Sequence, residues 1–304
     1  MTWTLKTSPF SSLPKYTTVF GVPVFSVSST TDAQFQHVAS VLAEWLDNDE
    51  DGCVDNPTVL TKLTEREDWG DLMVQASIVV PGVEGSWNNT FAETLEAAGY
   101  FATAPLYNDQ ELQPSCSGPA ANTTCSDATL EEVWHVITRN GYAKAFPSIF
   151  AEESTSNSTL SQAMDVARGG KFTSPAIPSS YPSTAWYTYV PTYDTCGDNC
   201  GCTDYECQVA EYIYWGVCSW VGALVNRGPG INHEWKFETR AKLEAGDLLL
   251  TAIIKVFVVS TSYMTQLISH LCPGHLHLQA AQHFTHRKLL RSCHLFHWSE
   301  SQLV

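Results

Sequence analysis

Apolar residues recur at helical spacing between positions 32 and 46, where Phe35, Val38, Val41, Leu42, Trp45 and Leu46 share one face. The pattern predicts a helix over 32–46. Asn56-Pro57 reads as the N-cap and first position of a second helix near 57–66. Upstream, residues 16–28 are rich in β-branched and aromatic side chains, and Pro23 among them favours an edge strand. Residues 74–80 read as a buried strand and 90–98 as a helix. Two aromatic-rich helices, near 159–168 and 205–226, complete the expected core, with a Pro/Ser/Tyr-rich extended connection over 174–195. Helices and strands alternate irregularly. The predicted fold class is therefore α+β, with mixed strands and helices around a metal-site helix, rather than a doubly wound sheet. Neither a phosphate-binding glycine loop nor an internal repeat interrupts this pattern.

One short helix carries candidate chemistry. Glu131-Glu132-Val133-Trp134-His135 reads as the zincin metallopeptidase motif H-E-x-x-H, with glutamate in place of the first histidine. Residues four apart lie one turn apart on one helix face, so Glu131 and His135 can share a metal. Glu132 stands at the general-base position. Thr129 with Glu132 predicts a capping box, and Asn140-Gly141 a helix stop. The expected third ligand is Glu211, alone among Val209, Ile213, Tyr214 and Trp215 on the second aromatic helix. Asp165 and Glu234 are weaker candidates, each reading first as an ion-pair partner of a nearby Arg or Lys. Two carboxylates and one imidazole suit zinc, the expected metal, and also harder manganese or iron. The alternative is a solvated first turn, with Glu131 and Glu132 favoured by the helix dipole and His135 half-buried.

A second motif lies at residues 47–58. Asp47, Asp49, Asp51, Gly52 and Asp55 fit D-x-D-x-D-G-x-x-D, a spacing that folds alternate carboxylates around calcium. The backbone carbonyl of Cys53 is the next expected ligand. Position twelve is Thr58 rather than the bidentate glutamate of an EF-hand, which points to a structural site rather than a cytosolic sensor. The alternative is an acidic surface turn without an ion.

Composition changes the picture in two places. Ten cysteines, eight of them before residue 256, read as disulfides in an oxidising compartment, with Cys116 and Cys125 placed to close a small loop ahead of the metal helix. Zinc binding by Cys196, Cys200, Cys202 and Cys207 ranks below disulfides. Sequons at Asn88, Asn122 and Asn157 agree with an extracellular glycoprotein. No charged-then-apolar leader is visible at residues 1–15, a stretch expected to be poorly defined, so a missing first exon is the expected explanation. The net charge of −16 disfavours nucleic acid as a partner. After Lys255 the character shifts: residues 256–304 hold a single acid, Glu300, and seven of the ten histidines. Intron read-through into a non-native tail is the expected origin of this segment, with paired-histidine metal binding as the alternative. Residues 248–271 are long and apolar enough to attract a spanning assignment, but Lys255 and many Ser, Thr and Gln argue against one.

Glu131–His135, Ala163-Met-Asp-Val-Ala-Arg-Gly-Gly170, Trp186-Tyr-Thr-Tyr189 and Glu211-Tyr-Ile-Tyr-Trp215 together resemble an extracellular zincin-like family that shares an E-E-x-x-H helix and the D-x-D-x-D-G loop. The resemblance covers about residues 16–250. It implies one α+β domain over 16–255, with Glu132, His135 and Glu211 in zincin roles and Glu131 as the departure. The expected function is a secreted metal-dependent hydrolase acting on a peptide or protein. The other reading is a non-catalytic extracellular module stabilised by calcium and disulfides, with a degenerate metal site.

Overall fold

A computed structural model describes residues 6–69, 72–83, 86–87, 89–109, 111–117, 121–122, 125–189 and 202–259. Strands β1 (Lys6–Thr7), β2 (Lys15–Val19), β3 (Val22–Ser26), β4 (Glu67–Trp69), β5 (Leu72–Gly82) and β6 (Tyr100–Tyr107) form one mixed sheet. The β2–β3 pair is an antiparallel hairpin turned by Phe20 and Gly21, both at positive φ. β5 is the hub, pairing in parallel with β3 and β6 and antiparallel with β4. The order is thus β1-β2-β3-β5-β4, with β6 also on β5. The chain is a mixed α/β protein whose described strands all precede residue 108.

Alternation along the strands divides the core. Val24, Ile78 and Val80 face the main core, while Phe25 and Val79 face a smaller cluster with Leu13 and Leu95. The smaller cluster is covered by helix α3 (Asn89–Ala97) and by Phe10 and Tyr16. Residues 6–15, expected to be poorly defined, thus contribute a paired strand and a fully buried Leu13. Pro23 is tolerated in an inner strand because β5 pairs with β3 only from Val24 onward. Pro23 itself faces Thr18 on β2 alone, so it withholds no N–H from the second ladder.

On the main face, α1 (Asp32–Leu46) and α4 (Thr129–Ile137) pack together, with Trp45 against Trp134 at 4.6 Å between ring centroids. Thr31 caps α1 in a full capping box with Gln34, and Asn56 caps α2 (Pro57–Thr64). Beyond them lie α7 (Thr159–Arg168), capped by Ser158, and the long α8 (Tyr205–Trp220), capped by Asp204. Almost the whole of α8 is buried, which explains its wealth of aromatic residues.

The start of α4 differs from expectation. Thr129 is inside the helix and makes no capping box. Asp127 does the capping instead: its Oδ1 accepts from the Thr129 backbone N–H and hydroxyl, and its Oδ2 lies 2.6 Å from His37 Nε2 of α1. The end differs too. Asn140 and Gly141 do not stop the helix; it widens into a π turn over Thr138–Tyr142 and continues as α5 (Ala143–Ala145). Gly141 is required there by close packing: a Cβ would stand 2.7 Å from Val59 Cγ1 on α2. α6 (Pro147–Phe150), α9 (Gly228–Ile231), α10 (Arg240–Gly246) and α11 (Leu248–Ile253) complete the described helices. Among the described residues, no helix is long and apolar enough to cross a membrane.

Disulfides join Cys116 to Cys125, as the sequence suggested, and Cys202 to Cys207. Cys53 is also disulfide-bonded, and Cys218 is a buried thiol. Cys196 and Cys200 lie outside the described residues, as do Asn88 and residues 260–304 with the histidine pairs of the tail. Asn122 and Asn157 are exposed.

Candidate metal centre

The helices α4 and α8 bring three residues far apart in sequence to one place. One ligand atom each from Glu131, His135 and Glu211 lies within 4.8 Å of the other two. His135 Nε2 stands 3.7 Å from Glu211 Oε1. That is too long for a hydrogen bond and close to the ~3.4 Å that separates two donors of a tetrahedral ion bound at ~2.1 Å. His135 Nε2 is buried and has no hydrogen-bond partner. A buried imidazole nitrogen without a partner is costly, and a cation between it and the carboxylates is the partner this donor set fits. The site is recessed but not sealed, since 12 % of the His135 side chain and 11 % of the Glu211 side chain remain exposed.

Glu132 lies on the other side of the imidazole. Its Oε2 is 3.8 Å from His135 Nδ1, and 23 % of its side chain reaches solvent. In this position the Glu132 carboxylate faces the ring nitrogen opposite the one that faces Glu211. His135 packs edge-on against Tyr214, whose hydroxyl hydrogen-bonds to Glu131. Tyr214 sits three residues after Glu211, so one face of α8 supplies both a candidate ligand and a group that meets Glu131.

Electrostatics set the character of the centre. Burial pulls the His135 imidazolium down, but Glu211, Glu132 and Glu131 together push it up to about 10. Burial and repulsion by Glu131 push Glu211 well above the usual carboxylate range. Burial likewise raises Glu131, against the attraction of His135. His135 and Arg227 are the positive groups that act on these carboxylates, and a divalent ion would balance Glu131 and Glu211 and let His135 bind as neutral imidazole.

Glu234 was expected first as an ion-pair partner. It accepts instead from the Trp215 indole N–H at 2.8 Å and borders the centre, where burial and the charge of Glu131 push its carboxyl up to about 7. Asp165 stays apart from the site and accepts a hydrogen bond from the Tyr205 hydroxyl at 2.9 Å, with Lys171 and Arg168 acting on it at longer range. Arg227 stacks over Trp215 and acts on both Glu131 and Glu234. Neither Arg227 nor Tyr214 is signalled by spacing alone; the sequence cue for Tyr214 is its place one turn beyond Glu211. Cys202 and Cys207 also fall within ligand distance of Glu211, but their sulfurs are bonded to each other and do not act as thiolate ligands.

The acidic loop forms a second cluster. Side-chain oxygens of Asp47, Asp49 and Asp51 lie within 4.8 Å of one another, and Asp55 folds back onto Asn48.

No protein-family model, no curated protein and no solved structure matches this chain.

Proposed function

We propose that the protein is a secreted, zincin-like metal-dependent hydrolase acting on peptide or protein substrates, with Glu131, His135 and Glu211 as ligands to one transition-metal ion, zinc first among them. The observation that carries this reading is the convergence of three donors, one a buried imidazole nitrogen without a hydrogen-bond partner, from two helices 76 residues apart in sequence between His135 and Glu211. When bound, the metal supplies Lewis acidity toward a carbonyl and toward water. The chain's own residues do the rest. Glu132, partly open to solvent beside the imidazole, takes the proton of the attacking water and returns it to the leaving amine. Tyr214 holds Glu131 in place, and Trp215 holds Glu234 at the edge of the site. The Cys116–Cys125 and Cys202–Cys207 disulfides, the bonded Cys53 and the three sequons support an extracellular setting.

Glu132→Gln is the direct test. The expected outcome is full metal content with turnover of a mixed peptide library lost by at least ~100-fold. Unchanged turnover refutes Glu132 as the base, and absence of turnover in the metal-loaded wild type refutes the hydrolase.

A second reading is favoured by the small residual exposure of His135 and Glu211. In it the ion ties α4 to α8 and does no chemistry, as closed structural sites do. It predicts a large fall in Tm on chelation and no hydrolysis of any peptide.

A further inference from the structure

The hydrolase reading leaves the acidic loop unexplained. We infer that residues 47–55 hold one calcium ion, ligated through Asp47, Asp49, Asp51 and Asp55, and that this ion fixes the position of α4. The loop begins where α1 ends: Asp47 is the C-cap residue, and its oxygens accept the backbone N–H groups of Asp51 and Gly52. Asp51 accepts from the Cys53 N–H. One carboxylate oxygen each of Asp47, Asp49 and Asp51 lies within 4.8 Å of the other two. Glu50 and Gly52, both at positive φ, make the reversal that brings them together.

The observation that asks for an ion is Asp55. It is only 8 % exposed, one carboxylate oxygen is held by the backbone and side chain of Asn48, and the other is buried with no partner. Asp47 is 5 % exposed, and Asp55 and its neighbours Asp51 and Asp49 repel it. The leading influences on both groups are burial, hydrogen bonds from the loop and the other aspartates. Buried like charges with an unpartnered carboxylate oxygen beside them are stable only with a cation or a proton. Four carboxylates and the Cys53 carbonyl approach the six to eight oxygens that calcium takes, in a flexible loop that suits it better than rigidly octahedral magnesium.

The loop is also wired to the metal helix. Trp45, two residues before Asp47, packs on Trp134, the neighbour of His135. Trp134 in turn contacts Tyr142 on the π turn, and Asp55 acts on Tyr142 from the loop. On the other side α2, which leaves the loop at Pro57, packs Val59 and Leu63 against Gly141. Both exits from the loop therefore end on α4 or its continuation.

Terbium luminescence tests the site on the full-length protein after removal of divalent ions, because Trp45 stands close enough to sensitise an ion in the loop. Expected is saturable green emission under tryptophan excitation, displaced by calcium at far lower concentration than by magnesium. Asp49→Ala/Asp51→Ala, at exposed positions that leave the core untouched, is expected to abolish it while far-UV dichroism stays native. His135→Ala/Glu211→Ala is expected to retain it, which separates the loop from the metal centre. No emission, or emission that survives in the loop variant, overturns the site. The link to α4 rests on the proposed metal centre and is read separately, as at least a threefold tighter zinc affinity in saturating calcium than without it. Equal zinc affinities overturn the link and leave the loop site standing.

Discussion

The two acidic clusters are assembled in opposite ways. The acidic loop gathers Asp47, Asp49 and Asp51 from five consecutive residues, and a spacing of two with a turn at Glu50 and Gly52 is enough to bring them together. The centre on α4 and α8 gathers Glu131, His135 and Glu211 across the fold, and only the packing of one helix on another makes the third donor a neighbour of the first two. A local cluster survives distant changes and depends on its own turn. A non-local one depends on every contact that holds its helices in register.

That difference is open to attack at Trp134. Fully packed between Trp45 and Tyr142, it joins the two regions, so Trp134→Ala should cost ~3–5 kcal/mol and weaken both clusters at once. Denaturant unfolding with terbium and zinc titrations checks this; loss at one cluster alone would show the regions to be independent. Tyr214→Phe sharpens the contrast, since it removes only the group that orients Glu131. Zinc affinity should fall ~10–100-fold with the loop unaffected, as measured by competition with a chelating dye.

Asp127 offers a pH test of the scaffold alone. Burial raises its carboxyl, but hydrogen bonds from His37, Thr129 and Ser117 outweigh this and hold it below the ordinary range. A depressed carboxylate contributes stability above its unfolded value of ~3.9, and that stability is lost as pH falls through the lower folded value. Unfolding free energy should therefore decline below about pH 4 in the wild type, and Asp127→Asn should cost ~1–3 kcal/mol near neutrality and flatten that decline. An identical acid limb in the variant would contradict the assignment. The smallest effect is expected at Gly141→Ala: the clash with Val59 costs ~1–3 kcal/mol, offset by the ~1 kcal/mol that alanine gains over glycine in a helix. A rise in Tm would show that α2 moves aside.

What was legible in the sequence follows the same division. The helix at 32–46, the helix at 159–168 and the acidic loop are set by local periodicity and capping, and they stand where the pattern placed them. The pairing of Glu131 with His135 was legible as a one-turn spacing, and Glu211 as a carboxylate with no apparent partner on an aromatic helix. The strand at Tyr100–Tyr107 was not, because Ala102, Ala104 and Pro105 dilute its β signal and its pairing with β5 is supplied by the sheet. Asp127 took the capping role from Thr129 because its side chain also answers His37, a partner 90 residues away. Gly141 reads as a helix stop in isolation, and its actual reason, the approach of α2, is visible only in three dimensions.

The most direct measurement is the metal content of the dialysed full-length protein by elemental mass spectrometry, beside His135→Ala/Glu211→Ala. One equivalent of a transition metal in the wild type that disappears from the variant, with calcium equal in both, is the predicted result. Wild-type protein without a transition metal, or a variant that keeps it, would contradict the metal centre.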